Sequence, residues 1–243
     1  MCTVTFIPDG DTLIFTSNRD EAVSRPLAFA PAIEKINQKT LLFPKDPKAG
    51  GTWFCVAEDG TIAVLLNGAF VRHIPTGNYR KSRGLVLLDI ISNESPLLEL
   101  QNYNFDQIEP FTLLLYLRDR IETSFTEFRW DGESRYFKNI DSTSPCIYSS
   151  ATLYDPPIIK QREEWFSEFL KNGQEKTPRS VRDFHHTAGR GDSTNGLVMS
   201  RGEFLKTQCI TQAVVSRRDI ELYHHDLIGD TEDHKTLIIS QKV

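Results

Sequence analysis

A chain of 243 residues with 39% hydrophobic and 25% charged residues has an ordinary globular composition and can bury a full core. A net charge of −5, with a pI near 5.7, argues against sequence-independent nucleic-acid binding. No apolar run is long enough to span a bilayer, and no basic-then-apolar signal pattern opens the chain. Cys2, Cys55, Cys146 and Cys209 lie far apart without CxxC spacing, which argues against a disulfide framework or a zinc knuckle. A reducing cytoplasm is the expected location.

The chain opens Met1-Cys2-Thr3. Removal of Met1 is expected to leave Cys2 with a thiol and a free α-amine on one residue. That amine, with a pKa of ~7.7–8.0, can accept the thiol proton near neutral pH. No propeptide precedes the cysteine, so loss of Met1 is the only activation expected. If Met1 stays, the α-nitrogen is an amide and cannot act as base.

Thr3 to Ile7 and Thr12 to Ser17 flank Asp9-Gly10 and read as a hairpin. With Asp9 and Gly10 as the loop, Phe6 faces Leu13, Val4 faces Phe15 and Cys2 faces Ser17. A second hairpin, Thr52–Glu58 and Thr61–Asn67, turns at Asp59-Gly60 and pairs Val56 with Ala63, Phe54 with Leu65 and Thr52 with Asn67. Its strands are apolar on both faces, so other layers are expected to sandwich them.

Ser82 is the expected N-cap of a buried helix through Ile91. Strands follow at Phe111–Leu117, Thr123–Trp130, Ser134–Phe137 and Cys146–Ser150. Asp155-Pro156-Pro157 starts a second helix towards Leu170, with Ile158, Trp165, Phe166 and Phe169 as its apolar set. Lys171–Thr177 reads as a surface loop and Ser180–His186 as a short helix. Strand patterns return at Phe204–Val215, Ile220–His225 and Leu237–Ser240. The order implies an α+β fold with helices covering two sheets, in one unit spanning 1–243.

Cys2, Ser17-Asn18-Arg19-Asp20-Glu21 and Arg25-Pro26, with Gly51-Thr52-Trp53, Leu66-Asn67-Gly68 and Ser82-Arg83-Gly84, resemble the Asn-Arg-Asp-Glu family. It is also called the transport and Golgi organization protein 2 family. That family in turn resembles N-terminal-nucleophile hydrolases of the choloylglycine hydrolase and penicillin V acylase type. The resemblance implies a four-layer αββα sandwich of two mainly antiparallel sheets and, with less force, cleavage of linear non-peptide amides.

On that resemblance Cys2 is the nucleophile. Arg19 lowers the thiol pKa by its charge, and Asp20 orients the amine. Asn67 donates to the oxyanion, and Gly68 lets substrate approach the backbone. The relatives place a second asparagine near the amine, and Ser150 stands at that position here. Asn18 and Arg83 complete the candidate substrate contacts, although Asn18 alternates away from Arg19 and reads more as scaffold. Arg80, Lys81 and Arg83 read first as a solvated basic patch, with a substrate carboxylate or phosphate as the alternative. Loops at Phe70–Tyr79 and Tyr103–Pro110 are expected to line the pocket.

His185-His186 and His224-His225 invite a metal or haem reading. Adjacent strand residues face opposite ways, so neither pair alone chelates. One histidine from each pair could converge, but no sequence signal says so. No metal and no cofactor are expected. The reading is an amidohydrolase for a small-molecule amide. Its competitor is a non-catalytic carrier or chaperone for haem or an acyl-lipid ligand. No nucleic-acid partner and no membrane span are expected, and a homodimer is one expected state because folds of this kind often pair.

Overall fold

The computed structural model describes residues 3–118 and 123–240. Its first sheet begins with β1 (Thr3–Asp9) and β2 (Thr12–Ala22) and takes β10 (Cys146–Ser149) on the outer side of β1. It continues from β2 to β12 (Leu205–Val215), β13 (Asp219–Asp226) and β14 (Thr231–Ile238), with the two-residue β11 (Ser200–Arg201) beside β12. The second sheet is a meander of β3 (Phe29–Ile36), β4 (Lys39–Lys45), β5 (Phe54–Ala57), β6 (Ile62–Asn67), β7 (Phe111–Leu117), β8 (Ser124–Trp130) and β9 (Arg135–Asn139). Among the described residues the strand pairs of both sheets are antiparallel.

Three apolar layers hold four structural layers together. Val4, Phe6 and Phe15 of the first sheet meet Phe54, Val56, Val64 and Phe125 of the second. The other face of the second sheet, with Cys55, Ala63 and Leu113, packs on Val86, Leu87 and Ile90 of α1 (Arg83–Ile91) and on Leu100 of α2 (Pro96–Asn102). The outer face of the first sheet, at Ile7 and Ile14, packs on Phe166 of α3 (Pro156–Lys171) and on Val181 and Phe184 of α4 (Pro178–Thr187). This is the αββα sandwich that the resemblance implies. Each strand of the core buries both faces, which is why its sequence is apolar on both. No helix among the described residues is long and apolar enough to cross a membrane.

The helices expected after Ser82 and after Asp155 are present, but Asp155, expected as a cap, makes no side-chain cap bond, and α2 was not foreseen. Ser82 caps α1 by accepting from the Leu85 N–H, and Thr177 caps α4 by accepting from Ser180. Both hairpin registers differ from the sequence expectation. In the first, Phe6 pairs with Phe15, Val4 with Ser17 and Thr3 with Asn18. The loop is Gly10-Asp11, with Gly10 at φ +57°, so the shift is two residues and the faces are kept. In the second, Phe54 pairs with Val64 and Val56 with Ile62 around a three-residue loop, Glu58 to Gly60, with Gly60 at φ +85°. That shift is one residue, so Phe54 shares its face with Ile62, Val64 and Leu66. Glycine in the left-handed region ends a three-residue loop where a two-residue one was expected.

The neighbour of strand β2 carries one irregularity at the site. The register between β2 and β12 shifts between Thr207 and Cys209. Gln208 is the extra residue of this bulge. It sends Thr207 to the helix side and Gln208 to the side of the second sheet, as their hydrogen bonds show below.

Candidate functional site

A cleft of about 440 Å³ opens where the ends of β2 and β6 meet the start of α1. Arg19, Asn67 and Arg83 all line it, so three candidates from three elements share one space. Gly77, Tyr79 and Glu109 contribute from the two loops expected to line the pocket. The motif segments Gly51-Thr52-Trp53 and Ser82-Arg83-Gly84 form one wall. A Cβ on Gly51 would collide with the Gly84 backbone, and the Thr52 N–H donates to the Gly84 carbonyl at 3.3 Å. Glycine at both positions is what allows this contact.

Alternation along β2 splits the Asn18–Glu21 motif. Arg19 and Glu21 point into the cleft, their Nη2 to Oε2 distance being 3.5 Å. Arg19 is 3% exposed. Its guanidinium donates to Asp46 Oδ2 at 2.6 Å and to Gln208 Oε1, and it lies 4.6 Å from the Trp53 ring centroid. Arg25 joins the cluster, donating to both oxygens of Asp46 at 2.8 and 3.0 Å. Burial works against the Asp46 charge, but the Arg25 bond and the Ala49 N–H prevail and hold its carboxyl below the usual range. The Asp46 bond in turn raises the Arg25 pKa. The positive charge of Arg19 is therefore matched by Asp46 and Glu21 within the cleft wall.

Asn18 and Asp20 face the helices instead. Asn18 is fully buried, donating to the carbonyls of His185 (3.2 Å) and Leu197 (2.7 Å) and accepting from His185 Nδ1. Its amide is committed to α4 and the following loop, so its expected place as a substrate contact is corrected to a scaffold position. Asp20 accepts from Tyr154 Oη at 2.7 Å and Thr207 Oγ1 at 2.5 Å and is 1% exposed. His185 has both ring nitrogens bonded, since Nε2 lies 2.7 Å from Thr5 Oγ1. Because the Asn18 amide group donates elsewhere, its oxygen accepts, which puts the ring proton on Nδ1. Burial, then the His186 and Arg162 charges, lower the His185 pKa to about 3.

Ser150 and Asn67 form a latch between the sheets. Ser150 is fully buried at the end of β10 and donates to the Asn67 carbonyl at 2.7 Å. Gly68, at φ +78°, does not face open space. A Cβ there would run into Thr152 Oγ1, and its carbonyl accepts from Thr112 at 2.9 Å. The expectation that Gly68 admits substrate is corrected: Thr152 fills that volume, and Gly68 is not among the cleft residues. Cys2 lies outside the described residues.

The basic cluster before α1 is divided. Arg80 donates to the carbonyls of Asp106 and Asn104, and Lys81 pairs with Asp89. Arg83 lies in the cleft wall, as Lys81 does, 3.0 Å from Glu109 and donating to the Pro110 carbonyl at 3.1 Å. Burial lowers its pKa despite Glu109. Sequence reading missed Asp46, Gln208 and Glu109. Each is far along the chain from the motif it serves, and only the turn residues around Asp46 carried any local signal.

A family model described as "Transport and Golgi organisation 2" matches residues 1–213. No curated protein matches the chain. Among solved structures, a Caenorhabditis elegans N-acylethanolamine-hydrolyzing acid amidase ortholog superposes with a TM-score of 0.57 at 10% identity. The match covers 87% of this chain and 92% of that one. A mutant conjugated bile acid hydrolase from Clostridium perfringens gives a TM-score of 0.47 at 11% identity, covering 100% and 97%. At these identities the likeness to the amidase shows a shared fold.

Proposed function

The chain belongs to the transport and Golgi organisation 2 family, and from that premise we propose that it is an N-terminal cysteine amidohydrolase acting on a linear non-peptide amide. Once Met1 is removed, the α-amine of Cys2 takes the thiol proton and the sulfur attacks the amide carbonyl. The Asn67 side chain stabilises the oxyanion. The amine leaves with the proton, and water then hydrolyses the acyl thioester. One observation supports this reading above the others: Arg19 from the first sheet and Asn67 from the second line one cleft. Thr3, at the start of β1, pairs with Asn18, the neighbour of Arg19.

The test is intact mass before and after brief iodoacetamide treatment of wild type and Cys2→Ala. Absence of Met1 and one rapid wild-type adduct near neutral pH would support the reading and justify a screen of amides. Retention of Met1, or a Cys2 no faster than a free thiol, would sink it.

A second reading, a non-catalytic carrier of haem or an acyl-lipid ligand, has its own support. The loop that supplies Gly77 and Tyr79 to the cleft also exposes Phe70, Val71 and Ile74, which suits an amphipathic ligand. A carrier should keep its ligand affinity in Cys2→Ala, whereas an enzyme should lose turnover.

A further inference from the structure

The fold brings together one histidine from each of the two pairs. His186 ends α4 and His225 lies on β13, and their rings meet over the outer face of the first sheet with centroids 5.2 Å apart. His225 Nδ1 and His186 Nε2 are 3.4 Å apart. The other nitrogen of His225, Nε2, is 3.1 Å from Asp230 Oδ1. An ionised carboxylate only accepts, so this nitrogen carries the ring proton and Nδ1 presents a lone pair to His186.

We propose that His186 Nε2 and His225 Nδ1 form a binding site for a borderline divalent transition-metal ion such as Zn²⁺, Ni²⁺ or Cu²⁺. Two metal–nitrogen bonds of ~2.0–2.1 Å at a tetrahedral angle place the nitrogens ~3.3–3.4 Å apart, which matches the observed separation. A direct hydrogen bond between the rings is the competing account, and 3.4 Å is long for one.

The surroundings suit a cation. His186 lies in the last turn of α4, at the negative end of the helix dipole. Glu232 is the cross-strand partner of His225 and shares its face. Asp230 holds His225 as second-sphere carboxylates hold metal-bound imidazoles. Arg182, the nearby cation, is drawn off over the Tyr223 ring and to Gln212. No cleft residue takes part, so the site stands apart from the proposed chemistry. Among the described residues no group of three His, Cys, Asp or Glu side chains is placed to hold a metal. Water therefore completes the coordination, and the ion exchanges readily.

The experiment is calorimetric titration of Ni²⁺, Cu²⁺ and Zn²⁺ into the untagged, metal-stripped full chain carrying Cys2→Ala, which removes any thiol–amine chelate at the terminus. One equivalent should bind, with Cu²⁺ tightest. Added His186→Ala or His225→Gln should weaken binding at least tenfold, with folding checked by circular dichroism. In the Cys2→Ala protein, Zn²⁺ should shift the imidazole ¹⁵N resonances of His186 and His225 and spare those of buried His185 and His224. This spectrum decides the matter even if a histidine variant fails to fold. No saturable binding, equal affinity in folded variants, or shifts confined to other histidines would overturn the proposal.

Discussion

The two faces of β2 do different work with neighbouring residues. On the helix side, Thr16, Asn18 and Asp20 are buried and fixed by hydrogen bonds to Gln212, His185, Leu197, Tyr154 and Thr207. On the cleft side, Arg19 and Glu21 belong to a charge cluster that also holds Asp46 and Arg25. A four-residue motif is thus two devices interleaved with a period of two. One device docks the helical layer and the other lines the cleft, so substitutions in adjacent positions should fail in different ways.

The largest effect should come from Asn18→Ala. It strands two carbonyls and the His185 ring proton in a dry interior, and should cost ~3–5 kcal/mol by chemical denaturation. Glu21→Gln, three positions on and half-exposed, should stay within ~0.5 kcal/mol. Similar losses from both would dissolve the distinction between the faces.

Acid should strike the helix side next. His185 is neutral in the fold with its pKa lowered to about 3, while in the unfolded chain it protonates near the ordinary imidazole value of 6.5. The unfolded state therefore binds more protons between these values. The His185 contribution is complete above pH 6.5 and is lost as pH falls towards 3, at up to ~1.4 kcal/mol per pH unit. His224, lowered to about 4 chiefly by burial, adds to the slope in the same direction. Denaturation series across this range should show a shallower dependence in His185→Gln; an unchanged slope would remove His185 as its source.

On the cleft side, Arg19→Met should cost ~1–3 kcal/mol, because Asp46 keeps Arg25 as a partner. The same variant should slow alkylation of Cys2 several-fold if the guanidinium favours the thiolate, and a rate equal to wild type would confine Arg19 to a structural role. Ser150→Ala, which removes one hydrogen bond between the sheets, should cost ~1 kcal/mol in the same denaturation assay.

Much of this was legible from local signals. Capping by Ser82, the proline start of α3 and the doubly apolar strands all follow from short-range chemistry. The strands β3 and β4 were not legible. Their turn is Asn37-Gln38, both at positive φ, where Asn-Gly would have announced a hairpin. β3 is also a largely exposed edge strand with Pro31 in it, so it lacks an apolar rhythm. The Asp9-Gly10 turn failed for a narrower reason. Gly10 occupies the first loop position, with Asp11 after it, and the dipeptide alone does not say which side of the glycine the loop takes. In the site, Arg19 and Asn67 were reachable by motif and alternation. Gln208 and Asp46 were not, because their partners lie 189 and 27 residues away.

The bulge at Gln208 serves both faces of β2 at once. Thr207 reaches Asp20 on one side, and Gln208 reaches Arg19 and the carbonyls of Ala22 and Arg25 on the other. A chain with Gln208 deleted would lose the bulge and keep the phase, since Thr207 next to Cys209 would still face Asp20 by regular alternation. The guanidinium of Arg19 would lose its neutral acceptor, and the carbonyls of Ala22 and Arg25 would lose their donor. The extra residue thus adds a ligand to the cleft side without taking one from the helix side.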